Sequence, residues 1–128
     1  MQLYRAIIPV PDIEKAQAFY DAAFRIDGER VSRGRHYYDL GGVIFAIYDP
    51  RADGDEPAGG WRYHPFQYVY VAVDDLALVV SRVAAAGGIM ISKTVEAMPW
   101  GETLFYCTDP FGAPLCFVQK GTEFKGAP

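Results

Sequence analysis

The sequence predicts an α+β fold in which two tandem βαβββ modules form a curved mixed sheet around a cleft. Three observations predict it. The segment Val10-Pro11-Asp12-Ile13 returns as Val73-Asp74-Asp75-Leu76, at an offset of 73 − 10 = 63 residues. Each copy opens a stretch with apolar residues at helical spacing, and three short strand candidates follow each helix. A polar, turn-rich stretch divides the two halves. The 128 residues therefore read as one domain, with a first module over about 1–48, a linker over 49–65 and a second module over about 66–122.

The elements follow in order. Leu3 to Val10 is an apolar run ending in Pro9-Val10-Pro11, which predicts a buried strand. Asp12 then caps a helix by accepting hydrogen bonds from the free amides of its first turn. Ile13, Ala16, Phe19, Tyr20, Ala23 and Phe24 fall on one face of that helix, and Gly28 ends the region. Strands are expected over Glu29–Ser32, Arg35–Leu40 and Val43–Tyr48, separated by Gly34 and by Gly41-Gly42. Asp49-Pro50, Asp53-Gly54, Glu56-Pro57 and Gly59-Gly60 then cluster as the linker.

The second module starts with an aromatic and β-branched strand, Phe66 to Val73, and Asp74-Asp75 caps the next helix. Leu76, Val79, Val80 and Val83 form its buried stripe, and Gly87-Gly88 stops it. Strands are expected over Ile89–Thr94, Thr103–Thr108 and Leu115–Gln119. Asp109-Pro110-Phe111-Gly112 joins the last two as a turn, with proline presetting φ at its second position.

Composition narrows the function classes. With 51% of residues hydrophobic and 15% aromatic, the chain can bury a core and does not read as disordered. A net charge of −4 with scattered basic residues argues against nucleic acid as a partner, because phosphate binding needs a concentrated cationic face. Arg30, Arg33 and Arg35 are the densest basic group and read as the solvated side of one hairpin. No apolar run approaches the ~20 residues of a membrane span, and Met1-Gln2-Leu3-Tyr4-Arg5 enters a strand without a leader. Cys107 and Cys116 lie in apolar stretches, which predicts buried free thiols and a cytoplasmic location.

Val10-Pro11-Asp12-Ile13 through Ala18-Phe19-Tyr20, then Val73-Asp74-Asp75-Leu76, then Pro99-Trp100-Gly101-Glu102 and Asp109-Pro110-Phe111-Gly112 carry a resemblance. In this order, over nearly the whole chain, they resemble the vicinal oxygen chelate superfamily. That group includes glyoxalase I, the extradiol dioxygenases and the bleomycin- and fosfomycin-resistance proteins. Its metal enzymes place ligands early in the first strand and midway along the last strand of each module. Carried across, those positions are Arg5, Phe45, Tyr68 and Cys116: the offset of 63 pairs Arg5 with Tyr68, and an offset of 111 − 40 = 71 pairs Phe45 with Cys116. A permanent cation, a hydrocarbon ring, a phenol and one thiol do not make a divalent site. A slip of one residue brings in Tyr4, Ala6, Ile44, Ala46, Gln67, Val69, Leu115 and Phe117, of which only Gln67 is a plausible ligand. The remaining donors, His36 and His64 with Asp39, Glu56 and Glu102, show no ligand spacing, and the two histidines read as surface or rim residues. No metal and no other cofactor is expected.

Strand alternation places Leu3, Arg5 and Ile7 toward the cleft, with Ala6, Ile8 and Val10 toward the helices. By the same rule Val43, Phe45 and Ile47, then Phe66, Tyr68 and Tyr70, then Cys116 and Val118 complete the wall. Such aromatics serve either as core or as a ligand platform. Arg5 is the most informative of them, since its guanidinium needs an acceptor: a protein carboxylate, or else an anionic or carbonyl-bearing ligand. Trp100 and Trp61 are candidates to stack on a planar ligand, and Glu102 is the candidate general acid or base, against a plain reading as an exposed strand-start glutamate.

Two readings follow. The first is metal-independent binding of a small, partly aromatic, anionic molecule through Arg5, Phe45, Tyr68, Tyr70, Trp100 and Cys116, as the resemblance to resistance proteins implies. The second is a glyoxalase- or dioxygenase-like lyase or isomerase using Glu102 and Tyr68, or a metal site placed elsewhere. The resemblance also implies a homodimer, with a small molecule as the partner and neither nucleic acid nor membrane.

Overall fold

Asp12 and Asp75 each start a helix as their chemistry predicts. The Asp12 carboxylate accepts from the Lys15 amide at 3.1 Å, opening α1 (Ile13–Phe24), and Asp75 accepts from Leu78 at 3.1 Å, opening α2 (Leu76–Ala85). The computed structural model describes residues 1–55 and 61–126, so Glu56, Pro57, Gly59 and Gly60 of the expected linker lie outside the described residues. The chain divides into two compact units, Met1–Arg62 and Tyr63–Pro128.

In the first unit, β1 (Arg5–Pro9), α1, β2 (Glu29–Ser32), β3 (Arg35–Leu40) and β4 (Val43–Tyr48) form the expected βαβββ order. The sheet runs β1-β4-β3-β2, with β1 parallel to β4 and the other pairs antiparallel. Gly41 and Gly42 close the β3–β4 hairpin with φ of 69° and 97°, a left-handed pair that side chains disfavour. One sheet face carries Ala6, Ile8, Tyr38, Phe45 and Ile47 against α1. Tyr20 and Phe24 of α1 meet Phe45 at ring centroids 5.0 Å apart. Tyr20 and Tyr38 are fully buried, and each such ring contributes roughly 2–3 kcal/mol through its apolar area. Tyr38 remains satisfied because its hydroxyl donates to Asp21 at 2.7 Å.

Two expectations need correction here. His36 is not a surface histidine: it is 4% exposed on the α1 side of the sheet, and neither ring nitrogen has a hydrogen-bond partner. Gly28 makes the room, since a Cβ there would lie 2.5 Å from His36 Nε2. Burial holds the imidazole below its ordinary pKa, and Arg30 adds to this while Asp21 and Glu14 oppose it. The linker also starts later than Asp49. Asp49 is buried and accepts from Ile13 N at 3.2 Å, and Asp53 accepts from Gly34 N at 2.6 Å and from Ser32 Oγ at 2.8 Å. Asp53 also pairs with Arg35, so the segment through Asp55 is bonded into the first unit.

In the second unit the sheet runs β5-β9-β8-β6, from β5 (Val69–Val73), β6 (Ile89–Met90), β8 (Thr103–Thr108) and β9 (Pro114–Gln119). β7 (Glu96–Ala97) also pairs with β8. The strand expected over Ile89–Thr94 is broken at Ser92 for a visible reason. The amides of Ile91 and Ser92 both donate to Tyr106 O, at 3.1 and 3.0 Å, and two residues facing one is a bulge. The strand expected from Phe66 begins only at Val69. Gln119 ties the end of β9 to the start of α2, accepting from Leu76 N at 3.0 Å and donating to Asp74 O at 2.7 Å. Leu115, Phe117 and Gln119 therefore face α2, and Cys116 and Val118 face the other way. Among the described residues, no helix is long and apolar enough to cross a membrane.

Candidate ligand-binding faces

Each unit has a sheet face turned away from its helix, and each carries part of the expected site. On the second unit, β5 and β9 pair in parallel with Tyr70 beside Cys116, and β8 pairs with β9 so that Tyr106 lies beside Cys116 from the other side. Tyr68, two residues before Tyr70, shares the face. Tyr68 and Tyr106 stand edge to face with ring centroids 4.9 Å apart, Tyr68–Tyr70 and Tyr70–Tyr106 are each 6.4 Å apart, and the Tyr70 and Tyr106 hydroxyls are separated by 3.5 Å. Beneath the rings, Leu104, Cys116 and Val118 form a buried floor joined by Met98.

The titration behaviour of this face follows from its surroundings. Tyr106 is pushed up first by its hydrogen bond with Tyr70 and then by burial, and burial raises Tyr68. Burial, followed by the Glu102 charge, pushes the Cys116 thiol up to about 12. At neutral pH the face therefore offers neutral phenols and an inert thiol, suited to ring contacts and hydrogen bonds rather than nucleophilic attack. Cys107, also pushed up to about 12 by burial, pairs with Leu115 and so points to the opposite side of the sheet from Cys116.

Trp100 and Glu102 sit on the turn between β7 and β8. Met98 N donates to Glu102 O at 2.7 Å, Gly101 adopts φ 105°, and the Trp100 indole N–H donates to the Glu102 carboxylate at 2.5 Å. Trp100 is 55% exposed, whereas one oxygen of Glu102 is already engaged. Trp61 is exposed, and so is Phe66, which lies outside the β5 ladder.

On the first unit, Arg5 shares its face with Ile44 and Tyr37. Nη1 of Arg5 donates to the Tyr37 hydroxyl at 2.8 Å, and the guanidinium lies 5.3 and 5.4 Å from the ring centroids of Tyr37 and Tyr4. Among the described residues no carboxylate forms an ion pair with Arg5. Arg35, by contrast, lies over Tyr48 and pairs with Asp53.

Phe45 is the site residue that the structure moves. β1 pairs Arg5 with Ile44 and Ala6 with Phe45, so Phe45 lies on the α1 side and Val43 and Ile47 go with it. The offset of 71 failed because the parallel ladders require 70: β1 pairs with β4 at a separation of 44 − 5 = 39 residues and β5 with β9 at 116 − 70 = 46, so first strands related by 63 have last strands related by 63 + 46 − 39 = 70. Tyr106 and Tyr37 were missed, although the alternation of Thr103–Thr108 and the pairing of its neighbouring strand could have found Tyr106.

A metal does not fit these positions. With Ile44 in place of Phe45, the carried-over set is Arg5, Ile44, Tyr68 and Cys116, which offers one phenol and one thiol, both raised in pKa. Among the described residues no group of three or more His, Cys, Asp or Glu could hold an ion. Glu56, named above as a candidate partner, lies outside them.

Known structures share the fold. A glyoxalase-related enzyme from Fulvimarina pelagi aligns with a TM-score of 0.76 at 20% identity, over 93% of this chain and 88% of that one. A glyoxalase/bleomycin resistance protein from Albidiferax ferrireducens T118 aligns with a TM-score of 0.74 at 20% identity, over 91% and 96%. A lactoylglutathione lyase from Agrobacterium tumefaciens aligns with a TM-score of 0.68 at 16% identity, over 93% of each chain. No curated protein matches the sequence. The family model of the Glyoxalase/Bleomycin resistance protein/Dioxygenase superfamily matches residues 2–117, and the chain belongs to that superfamily.

Proposed function

We propose that this protein binds a small, partly aromatic molecule without a metal and does not turn it over. The observation that carries the reading is the tyrosine group of the second unit. Three rings stand in mutual contact on an apolar floor, and Tyr70 remains 53% exposed. Arg5, held by Tyr37 and lacking a carboxylate partner among the described residues, supports recognition of an anionic group by the first unit. Turnover through Glu102 and Tyr68 has less support, because Glu102 is engaged by Trp100 and the Tyr68 phenol is harder to deprotonate than usual. The free, buried Cys107 and Cys116 support a cytoplasmic location, and the superfamily supports a homodimer with no nucleic-acid partner.

Protein dialysed against a chelator, then titrated with mono- and bicyclic aromatic acids, amines and neutral rings, tests the reading through the fluorescence of its two tryptophans. Saturable binding is expected for part of the panel, unchanged when zinc or manganese is restored. Arg5→Ala should weaken the acids about fivefold and leave the melting temperature nearly unmoved. Binding that requires the metal, or no binding by any probe, overturns the proposal.

A further inference from the structure

We infer that the group received by the tyrosine face of the second unit is a planar aromatic cation. The inference rests on the binding function proposed above and specifies its ligand. Tyr68, Tyr70 and Tyr106 present electron-rich rings at 4.9 to 6.4 Å centroid spacing, the arrangement that attracts a positive charge through the ring quadrupole. The rings are the receiving surface. Carboxylates stand beside this face: Glu96 pairs with Leu104, two residues before Tyr106 on β8 and on the same side of the sheet, and its charge acts on Tyr106, while Glu102 acts on Cys116 in the floor.

Those carboxylates are held by neutral donors. Ser92 Oγ donates to Glu96 at 2.6 Å, and the Trp100 indole donates to Glu102 at 2.5 Å. A hydroxyl and an indole fix the position of a carboxylate without cancelling its charge. Ser92 Oγ also accepts from Tyr106 N at 2.9 Å, so one hydroxyl holds both the strand that presents the ring and the charge beside it. An anionic ring placed here would meet two negative charges. A neutral ring would gain only contact area, whereas a cationic ring gains that area together with the quadrupole and the two carboxylates.

Three probes of nearly one shape separate the possibilities: N-methylquinolinium, quinoline at about pH 8, where it is neutral, and 2-naphthoate. Calorimetric titration should rank the cation about tenfold tighter than quinoline, with naphthoate weakest. Glu96→Gln combined with Glu102→Gln should narrow the cation's lead over quinoline to about threefold, the part that the rings supply, and leave quinoline unchanged. Raising salt to about 0.5 M should weaken only the cation, which provides a test on the unaltered protein should the double variant fail to fold. Equal affinity for the cation and quinoline, or tightest binding of naphthoate, overturns the cation assignment while aromatic binding stands. Failure of all three to bind overturns the binding function itself.

Discussion

Asp109→Ala is expected to destabilise the protein by about 3 kcal/mol, which lowers the melting temperature by roughly 10 °C. Asp109 is fully buried at the turn between β8 and β9. One of its oxygens, Oδ1, accepts from Phe111 N at 2.9 Å and from Ala113 N at 2.9 Å. The backbone closes the same turn, with Asp109 N donating to Ala113 O at 3.0 Å and Gly112 N donating to Asp109 O at 3.1 Å. Alanine would strand two amides in a site that water reaches poorly, and each such loss costs about 1–3 kcal/mol. Asp109→Asn can keep both bonds to Oδ1 and should recover part of the loss. Thermal unfolding followed by circular dichroism measures both variants. Equal melting temperatures for wild type and Asp109→Ala would show that the turn is not held this way.

Tyr106→Ala is expected to weaken binding of any aromatic ligand at least about tenfold, since an aromatic anchor in such a face carries about 1–3 kcal/mol. The ring of Tyr106 bridges Tyr68 and Tyr70, so its removal opens the platform at the centre. Tyr106→Phe keeps the ring and loses only the hydroxyl contact with Tyr70, and it should retain affinity within about threefold. Titrating N-methylquinolinium against both variants reads the difference. Unchanged affinity in Tyr106→Ala would remove the tyrosine face from the site.

The order of elements was legible because local chemistry fixes it. Aspartate before an apolar helical stripe, glycine pairs between strands and a proline turn each act within a few residues, and β2, β3 and β4 end where those signals stand, whereas α1 stops at Phe24, ahead of Gly28, with Arg25 left-handed at φ 55°. The faces were legible only in part. Tyr68 was placed by its offset of 63 from Arg5 and Tyr70 by alternation from Tyr68, and both lie on the face of Cys116. Phe45 was misplaced because Val43–Ile47 is apolar throughout and shows no period, so its side had to be inferred from a repeat offset of 71, one residue away from the 70 that the parallel ladders set. His36 was misread as surface because its burial depends on the missing side chain of Gly28, a contact across eight residues that no local pattern announces. Arg5 was read as needing an acceptor, and it found a phenol rather than an acid. The break at Ser92 was invisible for a related reason, since it depends on two amides sharing one carbonyl of the neighbouring strand.

Metal content tests the central claim most directly. Protein incubated with excess zinc, iron(II), manganese and nickel, desalted and analysed by plasma mass spectrometry should retain well under one equivalent of any of them, because the positions that the superfamily's metal enzymes use for ligands offer only a phenol and a thiol that hold their protons. One equivalent of a single metal per chain, retained through desalting, would contradict the account.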